Sequence, residues 1–558
     1  MVVHRHLRTA YPRLASLAIA AGLTAAASVG AYAQTYRCDS GNSVIVHEAD
    51  GSTVRLEYED RTFDLHQVAA SPERFTTETG LRPDHGLEWS SDGSRGRLSE
   101  MIMDHTAPEP TVIEVCSLDI ASTDAAGAGD ATLPPTGDGA TLFRNVRIFD
   151  GQNEELSEPS NVLVDGNIIA TISDQPIETN DSDVTIVEGD GRVLMPGLID
   201  AHWHAMLIRN TPAQTIYGDV GYNNITAADE ATDTLMRGFT TVRDVGGPAF
   251  GLKQAIDEGI VAGPRIYPSG AMITITSGHG DFRQLSELPR TIGGHMARME
   301  QVGGAMVADS PDEVRMRARE QLMQGASQIK LTAGGGVSSP FSPVDVSTFT
   351  LEELRAAVEA ADNWGTYVTA HAFTPQAIRR SIDAGVKVIE HGFLMDEATA
   401  QYIADRDIWL SMQPLPEAMR LGFPEGSVQR EGADKVFPGI DNAYQLAKRH
   451  NIKTAWGTDV LFSQALAQQQ GAILASLIRW YTPAEALTMA TSTNAELLAL
   501  SGARNPYPGK LGVVEQGALA DLLLVDGNPL ENLELVADPS NFLIIMKDGV
   551  IYKNETPE

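Results

Sequence analysis

Cysteine is almost missing from this chain: Cys38 and Cys116 are the only two in 558 residues. That leaves room for one disulfide and no framework of several. Basic residues are short as well, 41 lysines and arginines against 74 aspartates and glutamates, for a formal charge of −33. Such a field argues against binding nucleic acid or an anionic membrane, and says nothing about which small substrate is held. Long apolar runs are also lacking. The one candidate, Leu14–Val29, is short for a membrane span, and nothing later approaches ~20 apolar residues. The glycine-rich stretch GGGVSSPFSPVDVSTF at 334–349 lacks the Gly-Lys-Ser/Thr ending of a phosphate-binding loop.

What is present falls into blocks. Residues 1–33 combine Arg5, Arg8 and Arg13 with that apolar run and end in Ala31-Tyr32-Ala33. This is the pattern of a signal peptide cleaved before Gln34, so a periplasmic or secreted protein with no integral membrane segment is expected. Residues 34–118 alternate in short runs (SVIVHE, TVRLEYE, TVIEVCSL) and predict a small antiparallel β domain, with Cys38 and Cys116 near its ends. An oxidising compartment would let them pair. The Ala-, Gly-, Asp- and Pro-rich segment 119–140 reads as a linker. Strands follow in 141–195 and again in 506–558, too few on either side to stand alone, so they are expected to join as one β-sandwich. Between them, 196–505 alternates strands with helices and predicts a (β/α)8 barrel. Three helix starts, at Ser310, Thr350 and Thr482, each place an acid three residues after a capping hydroxyl.

The candidate chemistry lies at the strand ends. His202 and His204 close the first strand, and alternation turns both the same way. Lys330 follows QI, His371 follows TYVTA, His391 follows VKVIE, and Asp459 ends WGTD. A His-x-His pair, a lone lysine or a turn aspartate each has an ordinary structural explanation. Their joint arrival at C-terminal strand ends, where barrel active sites form, points to a metal site of imidazoles and carboxylates.

From about 141 to 553 the chain resembles the amidohydrolase superfamily, in the branch similar to imidazolonepropionase, prolidase-like dipeptidases and ochratoxin-hydrolysing carboxypeptidases. PGLIDAHWH, GFTTVRDVGG, ITSGHG, QIKLTAGGG, TAHAF, VIEHG, WGTD and LGVVEQGALADLLLVDGNPL carry the resemblance. It implies two divalent metal ions, zinc by expectation. His202, His204 and Asp459 would hold one, His371 and His391 the other, and an N6-carboxylated Lys330 would bridge them. It further implies hydrolysis of an amide next to a C-terminal amino acid in a short peptide or N-acyl amino acid, or of a cyclic amide or ester. Asp459 would move the proton and His279 would meet the substrate carbonyl or carboxylate. A homo-oligomer is the family's implication for assembly. Arg243 and Asp244 are expected to form a supporting ion pair, and Tyr367 to sit in the core away from the metals. The long segments 279–309 and 412–440 are read as covers of the mouth. Met296, Met299, Met306, Phe423 and Phe437 could then line an apolar pocket or merely pack the two loops.

Residues 36–117 resemble the membrane-bound inhibitors of C-type lysozyme, through the paired cysteines, Trp89 and FTTETGLR. Thr79-Gly80-Leu81-Arg82 runs into Pro83 where those inhibitors carry tyrosine, so lysozyme binding is not expected.

Overall fold

The computed structural model describes residues 33–118 except 39, 41, 49–52, 60, 69–70, 78, 83–84, 92–94 and 103–110, and 139–557 except 180–183, 289 and 291–293. The expected signal peptide, nearly all of the linker, and Pro83 lie outside the described residues. No described helix is long and apolar enough to cross a membrane. The chain divides into two units, Met1–Ala131 and Thr132–Glu558.

In the first unit, eight antiparallel strands from Ala33–Cys38 to Thr111–Leu118 close into a barrel. Alternation builds it: Val54, Leu56 and Tyr58 point inward along Thr53–Tyr58 while Arg55 points out. The first and last strands pair, which places Cys38 opposite Cys116, and the two form a disulfide. Tyr36 meets Trp89 edge-on at 5.0 Å in the core.

The second unit begins and ends in one sheet. Its order runs 168–173, 160–165, 140–148, 193–196, 522–525, 542–547 and 550–554, with 184–188 paired to 140–148. The strand Val193–Pro196 lies antiparallel to Leu522–Val525, so both ends of the unit meet there, 330 residues apart at Leu194 and Leu524 in register. Both faces are apolar. Leu194, Leu522, Leu524, Ile544 and Met546 face one cluster, while Met195, Leu523, Val525 and Ile545 belong to the large core beneath the parallel strands.

Gly197 hands the chain from this sheet to the parallel strands. Its N–H donates to Asp521, the next N–H donates to Gly238, and a Cβ there would lie 2.1 Å from Thr240 Oγ1. Three strands, Leu198–Trp203, Phe239–Asp244 and Arg265–Pro268, form one parallel sheet. Seven form another: Ala305–Val307, Met272–Thr274, Ile329–Thr332, Val368–Ala372, Val388–His391, Trp409–Met412 and Thr454–Trp456. These strands are buried along nearly their whole length, as strands covered on both faces must be. Helices alternate with them. Pro375–Ala384, for example, buries Ala377, Ile378, Ser381 and Ile382 on one stripe and stops at Gly385 in the left-handed region. The first and last parallel strands are linked at their ends, where Asp459 N–H donates to the His202 carbonyl at 2.9 Å.

Candidate metal centre

The strand ends bring the predicted residues together. His202 lies in Leu198–Trp203, Lys330 in Ile329–Thr332, His371 in Val368–Ala372 and His391 at the tip of Val388–His391. His204 and Asp459 lie just beyond their strands, and His279 follows Met272–Thr274. The rings pack in series, with centroids 5.4 Å apart for His202–His204, 5.0 Å for His202–His391, 4.5 Å for His371–His391 and 4.3 Å for His279–His371. Asp459 Oδ1 stands 3.2 Å from Nε2 of both His202 and His204. Candidate ligand atoms of His202, His391 and Asp459 lie within 4.8 Å of one another. This trio takes one histidine from each of the two ligand sets expected from the sequence. His391 and Asp459 hold left-handed backbone, at φ +75° and +53°. Non-glycine residues adopt it at a cost of about 1–3 kcal/mol each, and functional sites are where such strain collects.

Each histidine has one ring nitrogen committed to the protein. Nδ1 of His202 meets Glu390 at 2.7 Å, Nδ1 of His204 meets the Gly246 carbonyl at 3.0 Å, and Nδ1 of His391 meets Gln413 Oε1 at 2.6 Å. Nε2 of His371 meets the Gly335 carbonyl at 2.8 Å, and Nδ1 of His279 meets Ser339 Oγ at 2.9 Å. The other nitrogen of His202 and His204 meets Asp459, itself a candidate ligand, and that of His279, His371 and His391 has no hydrogen bond to a described residue, which is how metal-binding imidazoles are oriented. Asp200, fully buried, accepts from the His202 amide, from both the amide and hydroxyl of Thr458, and from Gln470. It pins the first strand end to the last.

The electrostatics suit a cation. Burial pushes the His279 ring down to about 4 and His391 to about 3, and lowers His371 well below the usual range. Neutral imidazoles are the form that ligates. Burial would raise Asp459 and Glu390, but His202 beside the first and Arg243 beside the second hold both well below the usual carboxylate range. Lys330 is 2% exposed. Burial draws its amine down to about 8, and it makes no hydrogen bond or ion pair with a described residue.

One expectation changes. Arg243 does not pair with Asp244. It reaches inward to Glu390 Oε1 at 2.6 Å, the Ala201 carbonyl and Ser411, because both it and Glu390 are fully buried and each needs the other. Asp244 instead accepts the Ala205 and Gly246 amides, and burial raises it to about 7. Tyr367 is buried as expected, with its hydroxyl 3.3 Å from Arg243. Glu390, Gln413 and Asp200 carry no signal of their own in the sequence. The first two sit next to or across from candidate ligands, but only the folded register reveals their bonds.

A cavity of about 840 Å³ opens above the rings. Phe423 and Phe437 line it, as do Val337 and Ser338 of the glycine-rich loop. Met296, Met299 and Met306 do not. Met299 packs with Met272, Ile216 and Val307 in a separate cluster, and Met296 is exposed.

Residues 193–552 match the model of the amidohydrolase family, and 36–106 match that of the membrane-bound lysozyme inhibitor of c-type lysozyme. Ochratoxinase from Aspergillus niger is 30% identical over 389 residues, 65% of this chain and 76% of that protein. Among solved structures, an amidohydrolase superposes with a TM-score of 0.68 at 34% identity, over 75% of this chain and 100% of the other. A prolidase complexed with N-methylphosphonate-L-proline does so at 0.68 and 30%, over 74% and 100%. A Xaa-Pro dipeptidase with bound methionine reaches 0.64 at 29%, over 74% and 100%. Family members generally use a divalent metal, and the buried imidazole and carboxylate donors here fit one. With well over half its length matched, the chain belongs to the amidohydrolase family and is a hydrolase of amide bonds.

Proposed function

We propose that the protein is an exported enzyme that uses two divalent ions, zinc by preference, to hydrolyse an amide bond in a small molecule or short peptide. One observation carries this reading: five histidines, each fixed by a bond from one ring nitrogen, converge with Asp459 and an unpaired buried lysine under one cavity. We read the two parallel sheets as arcs of one (β/α)8 barrel, with Arg265–Pro268 and Met272–Thr274 as one interrupted strand and Ala305–Val307 as an addition outside the eight, and the Asp459–His202 backbone bond supports that closure. The disulfide, the inhibitor-like N-terminal unit and the signal-like start support export.

His202, His204 and Asp459 would hold one ion and His371 and His391 the other, with Lys330 between them as its N6-carboxylate. A buried amine drawn toward neutrality is the nucleophile that carbon dioxide requires, and carboxylation turns a repelled ammonium into an anionic ligand. Bound ions would polarise the scissile carbonyl and lower the pKa of an attacking water. Asp459, held as a carboxylate, takes the proton of that water at Oδ1 and returns it to the leaving amine. Ser339 Oγ accepts the Gly280 amide, so its own hydroxyl proton is free for His279 Nδ1. His279 then carries its proton on Nε2 and donates it to the substrate carbonyl. The prolidase, Xaa-Pro dipeptidase and ochratoxinase relatives support an amide adjoining an amino-acid residue as the bond cut.

The test is a turnover screen with metal analysis on the same sample, using dipeptides, N-acyl amino acids and their blocked forms, lactams and simple esters. Two metals per chain with amine release from linear amides is the expected result. Turnover of lactams or esters alone would overturn the linear-amide assignment. A metal-free protein without turnover would overturn the whole reading.

A further inference from the structure

The charge of the cavity wall narrows the substrate. Apart from the histidines, Asp459 and Lys330, every lining side chain is uncharged. Leu415, Met419, Phe423, Phe437, Leu461 and Phe462 supply its apolar surface. Polar contacts beyond the metal ligands fall to neutral groups such as Ser427, Ser463 and Gln469. Among the described residues, no arginine lines the cavity, and no lysine but Lys330.

Of the cations nearest in sequence to this wall, Lys435, next to Val436, is exposed and does not line the cavity, and three arginines are held by acids. Arg283, next to Phe282 of the wall, grips Asp281 at two points, both 2.7 Å. Arg430 bonds Asp434 at 3.1 Å, and Arg420 pairs with Glu417 and Asp434. Lys330 lies in the floor, where the proposed carboxylation makes it an anion. Apart from the two proposed ions in the floor, a carboxylate drawn into this space would meet no cationic side chain, and a buried charge held on the wall away from those ions is disfavoured. A neutral apolar group would only gain by the transfer.

We infer that the substrate is uncharged on both sides of the scissile bond: a neutral amide bearing a bulky apolar group, with any neighbouring carboxyl blocked as an amide or ester. This rests on the amide-hydrolase reading above and narrows it away from peptides that end in a free carboxylate.

The test compares N-benzoyl-L-phenylalanine with its N-methylamide on the full-length, metal-loaded protein, following benzoate release. The pair shares acyl group, scissile bond and side chain, and differs in the terminal group, an anionic carboxylate against a neutral N-methylamide. The methylamide is expected to have at least a tenfold higher kcat/KM. Equal or faster turnover of the free acid would overturn the inference while leaving the amide-hydrolase reading intact. If neither is cut, the amide-hydrolase reading fails for this chemistry, and calorimetric binding of the same two compounds decides the inference. Tighter binding of the methylamide supports it, and equal or tighter binding of the acid overturns it. Leu415→Arg, which places a guanidinium on the wall, is expected to shift the ratio toward the acid at least tenfold, with Met419→Lys as the second variant should the first not fold. An unchanged ratio in a folded variant would overturn the electrostatic account.

Discussion

Lys330 carries two predictions. Its replacement by alanine is expected to abolish turnover and to lower metal content to one ion or fewer per chain, read by elemental analysis, while the unfolding midpoint of the second unit stays close to the parent's. Its acidity adds a pH dependence. Only the free amine reacts with carbon dioxide, and the free fraction of a group held near 8 grows as pH rises through that value. At fixed dissolved carbon dioxide, metal-free protein is therefore expected to regain carboxylated lysine faster at pH 8.5 than at 6.5, followed by carbon-13 NMR. A rate flat or falling with pH would contradict the proposed chemistry. Glu390 acts through His202. Glu390→Gln keeps the shape but removes the charge that orients the ring and answers Arg243. Metal affinity is expected to fall about 10- to 100-fold, the usual cost of losing such a partner, measured by competition with a chelator.

Among secondary-structure elements, the glycine-rich loop after the lysine strand matters most for positioning. A Cβ on Gly336 would lie 2.0 Å from His279 Nδ1, so Gly336→Ala must displace that ring. A displacement of about 1 Å can cost a hundredfold in rate, and kcat should fall by about that much with metal content unchanged. Phe423 belongs to the helical cover: Phe423→Ala should raise KM about tenfold for a bulky amide and little for a small one, in proportion to the apolar contact removed. Much at this scale was legible in the sequence. Ser310, Thr350 and Thr482 cap their helices as their spacing predicted, because capping is decided within four residues. Met272–Thr274 and Ala305–Val307 were not foreseen as strands. Each is three residues long, too short for a periodic signal, and is held by partners distant in sequence. The candidate ligands were legible as a group because each falls at or just beyond the end of a strand with its own local pattern. The Arg243–Glu390 bond was not, since it joins two strands whose relative register only the fold sets.

Across the whole molecule, the two units rest on different supports. The Cys38–Cys116 bridge spans 78 residues of a small barrel. A closed loop of that size is worth about 4 kcal/mol in chain entropy. A thiol reductant is therefore expected to lower the unfolding temperature of the first unit and to leave amide turnover unchanged, as scanning calorimetry and an activity assay on one sample would tell. The second unit has no such bridge and relies on its ends meeting, with Val193–Pro196 hydrogen-bonded to Leu522–Val525 in the middle of a sheet. That pairing sets an order of events during synthesis. Until residue 525 has left the ribosome, the earlier strand waits with an open edge beside a largely built set of parallel strands. An open edge of that kind is a template for pairing with other chains. A chain truncated near residue 520 should thus be more prone to aggregate than the full-length chain, although it already holds every candidate metal ligand. The last tenth of the polypeptide, remote in sequence from the chemistry, decides whether the rest can be released as a soluble enzyme.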